Sequence, residues 1–278
     1  MTPHRPEVLH SLPTHAARPD PPEWVIRIRP FDEAPDPPNP GAGFEGLSVS
    51  FPQGEPRTAL LFIDPSRRKK ELDAAIGAAL YMALRREGRL DLHAAALVPP
   101  SERTGAVLIA GAKGVGKSSL TLSLARAGWR FLSDDYVLAW RDEARIRLGC
   151  LRSTLYLTPD AVERLPAQRP PGRAVPRTGK LMFDPDQLFP GQHLIEAPLA
   201  AVVFPERISA PSSSLEPIRA FESFQRLLAL TPFLAADPSA RPCLEVARAI
   251  SDLPSFVLRA APDLLDPETA SRLLSSAS

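Results

Sequence analysis

The chain has 278 residues, is 44% hydrophobic and 23% charged, and carries a formal net charge of +1, enough for one sizeable core and a smaller accessory lobe. So balanced a charge argues against a nucleic-acid binder, and no stretch reaches the roughly 18 apolar residues that a membrane span needs. Cys150 and Cys243 stand far apart in no metal-ligand or redox spacing, and the N-terminus has no apolar core of signal-peptide length, so a cytoplasmic protein is expected.

Residues 1–22 hold Pro3, Pro6, Pro13, Pro19, Pro21 and Pro22 with little hydrophobic periodicity, the pattern of an extended or disordered arm. Residues 23–29, 46–51 and 58–63 read as short strands around a proline-rich loop at 35–40, which predicts a small N-terminal β lobe over 23–65. From 66 to 87, Leu72, Ala75, Ile76, Ala79, Leu80 and Ala83 recur at helical spacing, with Pro65 and Ser66 before them and Gly88 after. This helix is expected to open the main domain, 66–278. Arg67, Arg68, Lys69 and Lys70 in its first turn suit a solvated face more readily than a phosphate.

Residues 91–98 and 106–110 are apolar strands joined by a connection short enough for a hairpin. The second runs into Gly111, Ala112, Lys113, Gly114, Val115, Gly116, Lys117, Ser118 and Ser119, which match G-x-x-x-x-G-K-[ST]. Glycines let the backbone turn its N–H groups inward, a helix starting near Lys117 adds its unpaired N–H groups and dipole, and the lysine adds a full charge. Ser118 is the expected Mg²⁺ ligand. The flanks agree with the pattern: a buried strand precedes it, and Leu120, Leu122, Leu124 and Ala125 form a helix closed by Gly128. The stretch therefore reads as a phosphate-binding loop. His93 is placed on one of the hairpin strands, where a hydrogen-bonded structural role competes with a catalytic one.

Residues 129–140 read as a strand whose apolar run is interrupted by Asp134 and Asp135. Adjacent strand residues face opposite ways, so both carboxylates serve one site only if the strand ends there and the backbone turns; an acidic turn between two short strands, 130–133 and 136–140, is the competing account. A strand at 152–157 and a short helix at 159–165 follow. The basic, proline-rich stretch 166–180, with Arg169, Arg173, Arg177 and Lys180, is expected to lack regular structure and to serve as a lid over an anionic ligand or as a solvated loop. Beyond it, 199–204 and 255–259 read as strands and 218–230, 243–250 and 267–275 as helices, the interleaving of an α/β fold.

Neither an Asn/Thr-Lys-x-Asp guanine reader nor an Asp-x-x-Gly switch occurs, and there is no Leu-Ser-Gly-Gly transporter signature. Leu92-His93-Ala94, the loop from Gly111 to Ser118, and Gly128-Trp-Arg-Phe-Leu-Ser-Asp134-Asp135 together resemble the C-terminal catalytic domain of HPr kinase/phosphorylase and the broader HPr-kinase-like group. The resemblance covers residues 91–137 and continues more weakly through Gly179-Lys180 and 197–204. It implies a P-loop kinase-like sheet with flanking helices, of HPr kinase/PEP carboxykinase-like type, binding ATP and Mg²⁺. It further implies Asp134 as the base toward a serine hydroxyl, Asp135 and Ser118 on the metal side and His93 near the phosphates; which aspartate plays which part stays open, and by its charge Lys180 of the basic loop is expected to join Lys117 on the anion. A Glu-Ile-Arg-Gly-Leu-Gly type segment is not reproduced at 149–157, so phosphorolysis and recognition of HPr are not implied.

The expectation is thus an ATP-dependent kinase acting on a peptide, protein or small-molecule hydroxyl, with no nucleic-acid or membrane partner and with a homo-oligomer allowed. The rival is a non-catalytic ATP-binding regulator whose basic loop responds to nucleotide; the Asp134-Asp135 pair argues against it, because binding alone needs no base.

Overall fold

The structure is a computed structural model that describes residues 25–30, 47–52, 58–64, 69–100, 105–150, 154–165, 169–175, 178–231, 234 and 240–277. The expected arm at 1–22, the loop at 35–40, and Pro176 and Arg177 of the basic stretch lie outside the described residues. Contacts divide the chain into two units, one up to Glu87 and one from Gly88.

In the first unit, β1 (Val25–Pro30) pairs in parallel with β3 (Thr58–Ile63), and β2 (Leu47–Ser50) pairs antiparallel with β3. The helix α1 (Lys69–Arg86) belongs to this unit, where Ala79 and Met82 cluster with Val49 and Leu61.

The second unit is a mixed α/β fold. Its strands are β4 (Leu90–Leu92), β5 (Ala94–Val98), β6 (Ala106–Ala110), β7 (Arg130–Ser133), β8 (Val137–Asp142) and β9 (Arg145–Cys150), with α2 (Lys117–Arg126) after β6. A small sheet follows, in which β12 (Leu181–Phe183) lies between β10 (Leu155–Leu157) and β11 (Arg173–Ala174), with α3 (Pro159–Val162) and α4 (Pro185–Leu188) beside it in sequence. The chain closes with β13 (Glu196–Arg207), β14 (Ser214–Ile218), α5 (Ala220–Leu230), α6 (Arg241–Ser251), β15 (Ser255–Ala260) and α7 (Pro267–Ser275).

The main sheet runs β4-β8-β9-β13-β6-β5-β7, with β15 on β13 and β14 on β15. Along its 12 residues β13 meets β9 antiparallel at Glu196, Ala197 and Pro198, then β6 in parallel from Leu199 and β15 in parallel from Val202. It therefore joins two halves of the sheet that otherwise pair separately. Both faces are covered, as the period of two requires. Ala94, Ala96, Ala106, Leu108 and Ala110 point to the side filled by Cys243, Val246, Ala247 and Ile250 of α6. Ala95, Leu97, Val107 and Ile109 point to the opposite side, filled by Leu120 and Leu124 of α2 and Ala270 and Leu274 of α7. Trp129 is fully buried on that side, and its indole N–H donates to Ser271 Oγ at 2.9 Å, tying α7 to the chain just after α2.

Three sequence expectations need correction. The single strand expected at 91–98 is two strands broken at His93. The strand expected at 129–140 is β7 and β8, broken at 134–136, close to the two short strands of the competing account. The basic stretch does contain regular structure, since Arg173 and Ala174 pair with Met182 and Leu181. Among the described residues no helix is long and apolar enough to cross a membrane.

A close approach between backbones fixes how β6 enters the sheet. A Cβ at Gly105 would lie 2.5 Å from Pro198 O and 3.1 Å from Ala200 N, beside the register shift between Leu199 and Ala201 of β13. Backbone atoms cannot yield as a side chain can. Gly105→Ala is therefore expected to lower stability by about 1–3 kcal/mol, measured as a shifted urea midpoint at unchanged slope; an unshifted midpoint would show that β6 and β13 do not approach this closely.

Candidate active site

Two strand breaks at one level bring the acidic pair and the histidine together. Because β4 pairs antiparallel with β8 and β5 with β7, two chain segments run side by side, matched at Leu92 with Val137 and at Ala96 with Ser133. Between these matches regular strand is interrupted on both segments, at His93 on one and at Asp134, Asp135 and Tyr136 on the other. The His93 ring meets Tyr136 edge to face with centroids 5.5 Å apart, and His93 Nδ1 lies 3.4 Å from Asp135 Oδ1.

Ser133 shapes the acidic break. Its hydroxyl donates to Tyr136 O at 2.8 Å and accepts from the N–H groups of Asp135 and Tyr136 at 3.4 and 3.3 Å, so a side chain replaces the ladder while the backbone turns. The two carboxylates then have different fates. Asp135 stays about one-third exposed beside His93. Asp134 is 2% exposed; its Oδ2 accepts from Tyr156 N–H at 3.1 Å, while Oδ1 is buried with no hydrogen-bond partner among the described residues. Burial pushes the Asp134 carboxyl up to about 7, against the Tyr156 bond and with added repulsion from Asp135.

The glycine loop opens at the same edge, because β5 and β6 pair Ala94 with Ala110. Gly114 and Gly116 hold φ of 87° and 106°, a region side chains rarely adopt, and a Cβ at either would meet nothing within 4 Å. The loop is thus open above its backbone. Gly116 is the N-cap of α2 and supplies no side-chain cap, which leaves the first-turn N–H groups available to an anion. Lys117 is 5% exposed, and its Nζ donates to Gly111 O at 2.7 Å and Ala112 O at 3.1 Å, folding the ammonium back over the loop. Burial lowers the Lys117 pKa to about 8, with Asp135 and Asp134 opposing that shift and Lys180 adding to it.

His93 is held below its ordinary value of 6.5, first by burial and then by Lys117, with Lys113 and Lys180 also contributing and Asp135 working the other way. It is therefore neutral at pH 7. A proton on Nδ1 would face Asp135 and leave Nε2 as an acceptor. Lys180 follows the turn at Gly179, φ 66°, and its backbone C=O accepts from Val175 N–H at 2.9 Å. Its charge acts on His93, Lys117 and Asp134, so the end of the basic stretch lies close to the cluster.

The structure brings His93, Lys113, Lys117, Asp134, Asp135 and Lys180 into one electrostatic neighbourhood and sets Gly111, Ala112, Gly114, Val115, Gly116, Ser118 and Ser119 in the loop and first turn beside it. Two contributors had no signal in the sequence. Tyr156 acts through its backbone N–H, and Arg164 Nη2 donates to Ser119 Oγ at 3.3 Å across 45 positions.

Ser118 in the first turn of α2 and Asp135 beside His93 are side chains that could hold a metal ion. Among the described residues no three His, Cys, Asp or Glu side chains are grouped to hold a metal unaided, and Mg²⁺ commonly rests on one or two protein ligands plus phosphate oxygens and water.

No protein-family model matches the chain, and no curated protein matches it. Among solved structures, the chain is similar to the HPr(Ser) kinase/phosphatase from Coxiella burnetii, with 14% sequence identity, a TM-score of 0.39, and coverage of 67% of this chain and 89% of that one.

Proposed function

We propose that this protein is an ATP-dependent phosphotransferase that passes a γ-phosphoryl group to a hydroxyl, a serine of a peptide or protein or a small serine-like molecule. One arrangement supports it above the others: a buried carboxylate with a free oxygen is kept beside the lysine of an open glycine loop, where Lys117, Asp135 and Asp134 act on one another. Binding an anion alone would not require that carboxylate.

Bound ATP with Mg²⁺ would supply the transferable phosphoryl group and neutralise part of its charge. The loop N–H groups and Lys117 would bind and orient the phosphates, and Lys180 would add charge from the side. Ser118 and Asp135 would hold the metal side, with His93 fixing the Asp135 carboxylate. Asp134, with a pKa of about 7, would accept the acceptor's proton. The direct test incubates the protein with γ-labelled ATP and pools of serine peptides and hydroxylated metabolites and reads labelled products by mass spectrometry. Absence of any labelled product beyond free phosphate would count against transfer.

Lys117→Ala should lower turnover by about 10²–10³, the scale of losing one charge-stabilising donor; unchanged turnover would remove the loop from the chemistry. Asp135→Asn should raise the Mg²⁺ concentration giving half-maximal rate, whereas Asp134→Asn should leave nucleotide affinity intact and lower transfer by about 10²–10⁴. Exchange of those two phenotypes would swap the two roles.

The titrations set a pH window. Asp134 must lose its proton and Lys117 must keep its own, so kcat/KM should rise through about pH 7 and fall above about pH 8. A profile flat from about pH 6 to 9 would dissociate both groups from catalysis.

The same carboxylate should cost stability. Its folded pKa of about 7 lies above the ordinary 3.8, so the folded state holds the proton more tightly and stability falls as pH rises between those values. Asp134→Asn keeps the acceptor for Tyr156 N–H but carries no charge. It is expected to stabilise the protein by about 1–3 kcal/mol at pH 8 and by little near pH 4, read from urea unfolding at both values. A loss of stability at pH 8 would assign Asp134 a structural role instead.

A further inference from the structure

Away from the glycine loop, α5 and α6 bound a groove of about 590 Å³ lined by Phe221, Phe224 and Leu244 with Arg241, Glu245, Arg248 and Asp252. Phe221 is 71% exposed, the most exposed large apolar side chain among the described residues. The other charges of this region are satisfied: Arg226 of α5 pairs with Glu206 at 2.7 Å and with Glu222 at 2.9 Å. The four charges along α6 are exposed, and none forms an ion pair among the described residues.

Their order is informative. Arg241, Glu245, Arg248 and Asp252 are spaced by four, three and four positions, which sets them on one narrow stripe of the helix, with signs alternating along it. Turned end for end, the stripe is its own complement. A two-fold axis between Val246 and Ala247 sets Arg241 opposite Asp252 of a second copy and Glu245 opposite Arg248, both pairs centred on the same point. No other antiparallel register gives opposite charges at all four positions. A parallel pairing in register would oppose like charges throughout. Phe221 and Phe224 flank the stripe, so the α6 of one copy would rest in the α5–α6 groove of the other and close a four-helix layer.

We propose that two copies of this chain associate through α5 and α6, with antiparallel α6 helices joined by these four symmetric ion pairs and by burial of Phe221. The interface is isologous, so every side chain acts twice. It is independent of the phosphotransfer reading, which could fail without affecting it.

Sedimentation equilibrium of the full chain tests the pairing, with circular dichroism to verify the fold of each variant. The wild type is expected to be dimeric, with a dissociation constant that rises with salt. Arg241→Glu should weaken the dimer by at least about tenfold, because symmetry removes the pair twice, and Phe221→Ser should do the same through lost burial. Combining Arg241→Glu with Asp252→Arg in one chain restores opposite charges across the axis and should recover most of the loss. A wild type that stays monomeric to about 100 μM would leave the groove to some other partner and overturn the proposal. So would a dimer indifferent to Arg241→Glu, or one that the second substitution fails to rescue.

Discussion

The second unit depends on a shared backbone constraint: two adjacent segments both leave one half of the main sheet and enter the other at the same level. A strand can change partners only by interrupting its ladder, and every interrupted N–H and C=O must be satisfied some other way. Ser133 supplies that substitute on one segment, through bonds to residues 135 and 136. The reward is chemical. Residues that would have alternated across a regular strand, Asp134 and Asp135, are turned so that both act on Lys117. The loop falls beside them because β6 is registered against β5 with Ala110 opposite Ala94.

The cluster is not arranged for stability. A lysine and a carboxylate are both held in mostly buried positions where burial works against their charged forms, and one carboxylate oxygen has no partner among the described residues. Ion pairs elsewhere in the chain look different: Arg226, Glu206 and Arg259 form a network about one-third exposed, in which the bond from Arg226 outweighs burial and holds Glu206 below its usual range. The contrast is between groups whose charge burial opposes and groups whose charge a partner supports.

The sequence made the loop, its strand and its helix legible because glycine spacing and two hydrophobic periods coincide over residues 106–126. It also showed that a strand over 129–140 has to end at the acidic pair if both carboxylates are to serve one site, because adjacent residues of a regular strand face opposite ways. His93 is expected on a strand because it stands within the apolar run 91–98; the break shows only in the change of partner, from β8 along β4 to β6 and β7 along β5. The strand expected over 199–204 is longer: β13 runs from Glu196 to Arg207 and includes Pro198 and Pro205. Val202 N–H donates to Pro254 O, so by the period of two the Pro205 nitrogen faces the β6 side, where the chain has already turned away at Gly111 and the missing donor costs nothing. β14 has no counterpart in the sequence reading; it contains Pro217 and pairs antiparallel with β15. Arg164 reaches Ser119 through tertiary placement alone, and no local pattern could have shown it.

The position of β13 late in the chain has a consequence for biosynthesis. When residues up to about 195 have emerged, β6 and β9 are complete but both lack the neighbour that β13 provides, and the unpaired edge of β6 carries Val107, Leu108 and Ile109. Such an edge is a template for other chains. A message or protein truncated before Glu196 would therefore tend to aggregate rather than persist as a smaller folded fragment, and the nascent chain passes through that vulnerable interval each time it is made.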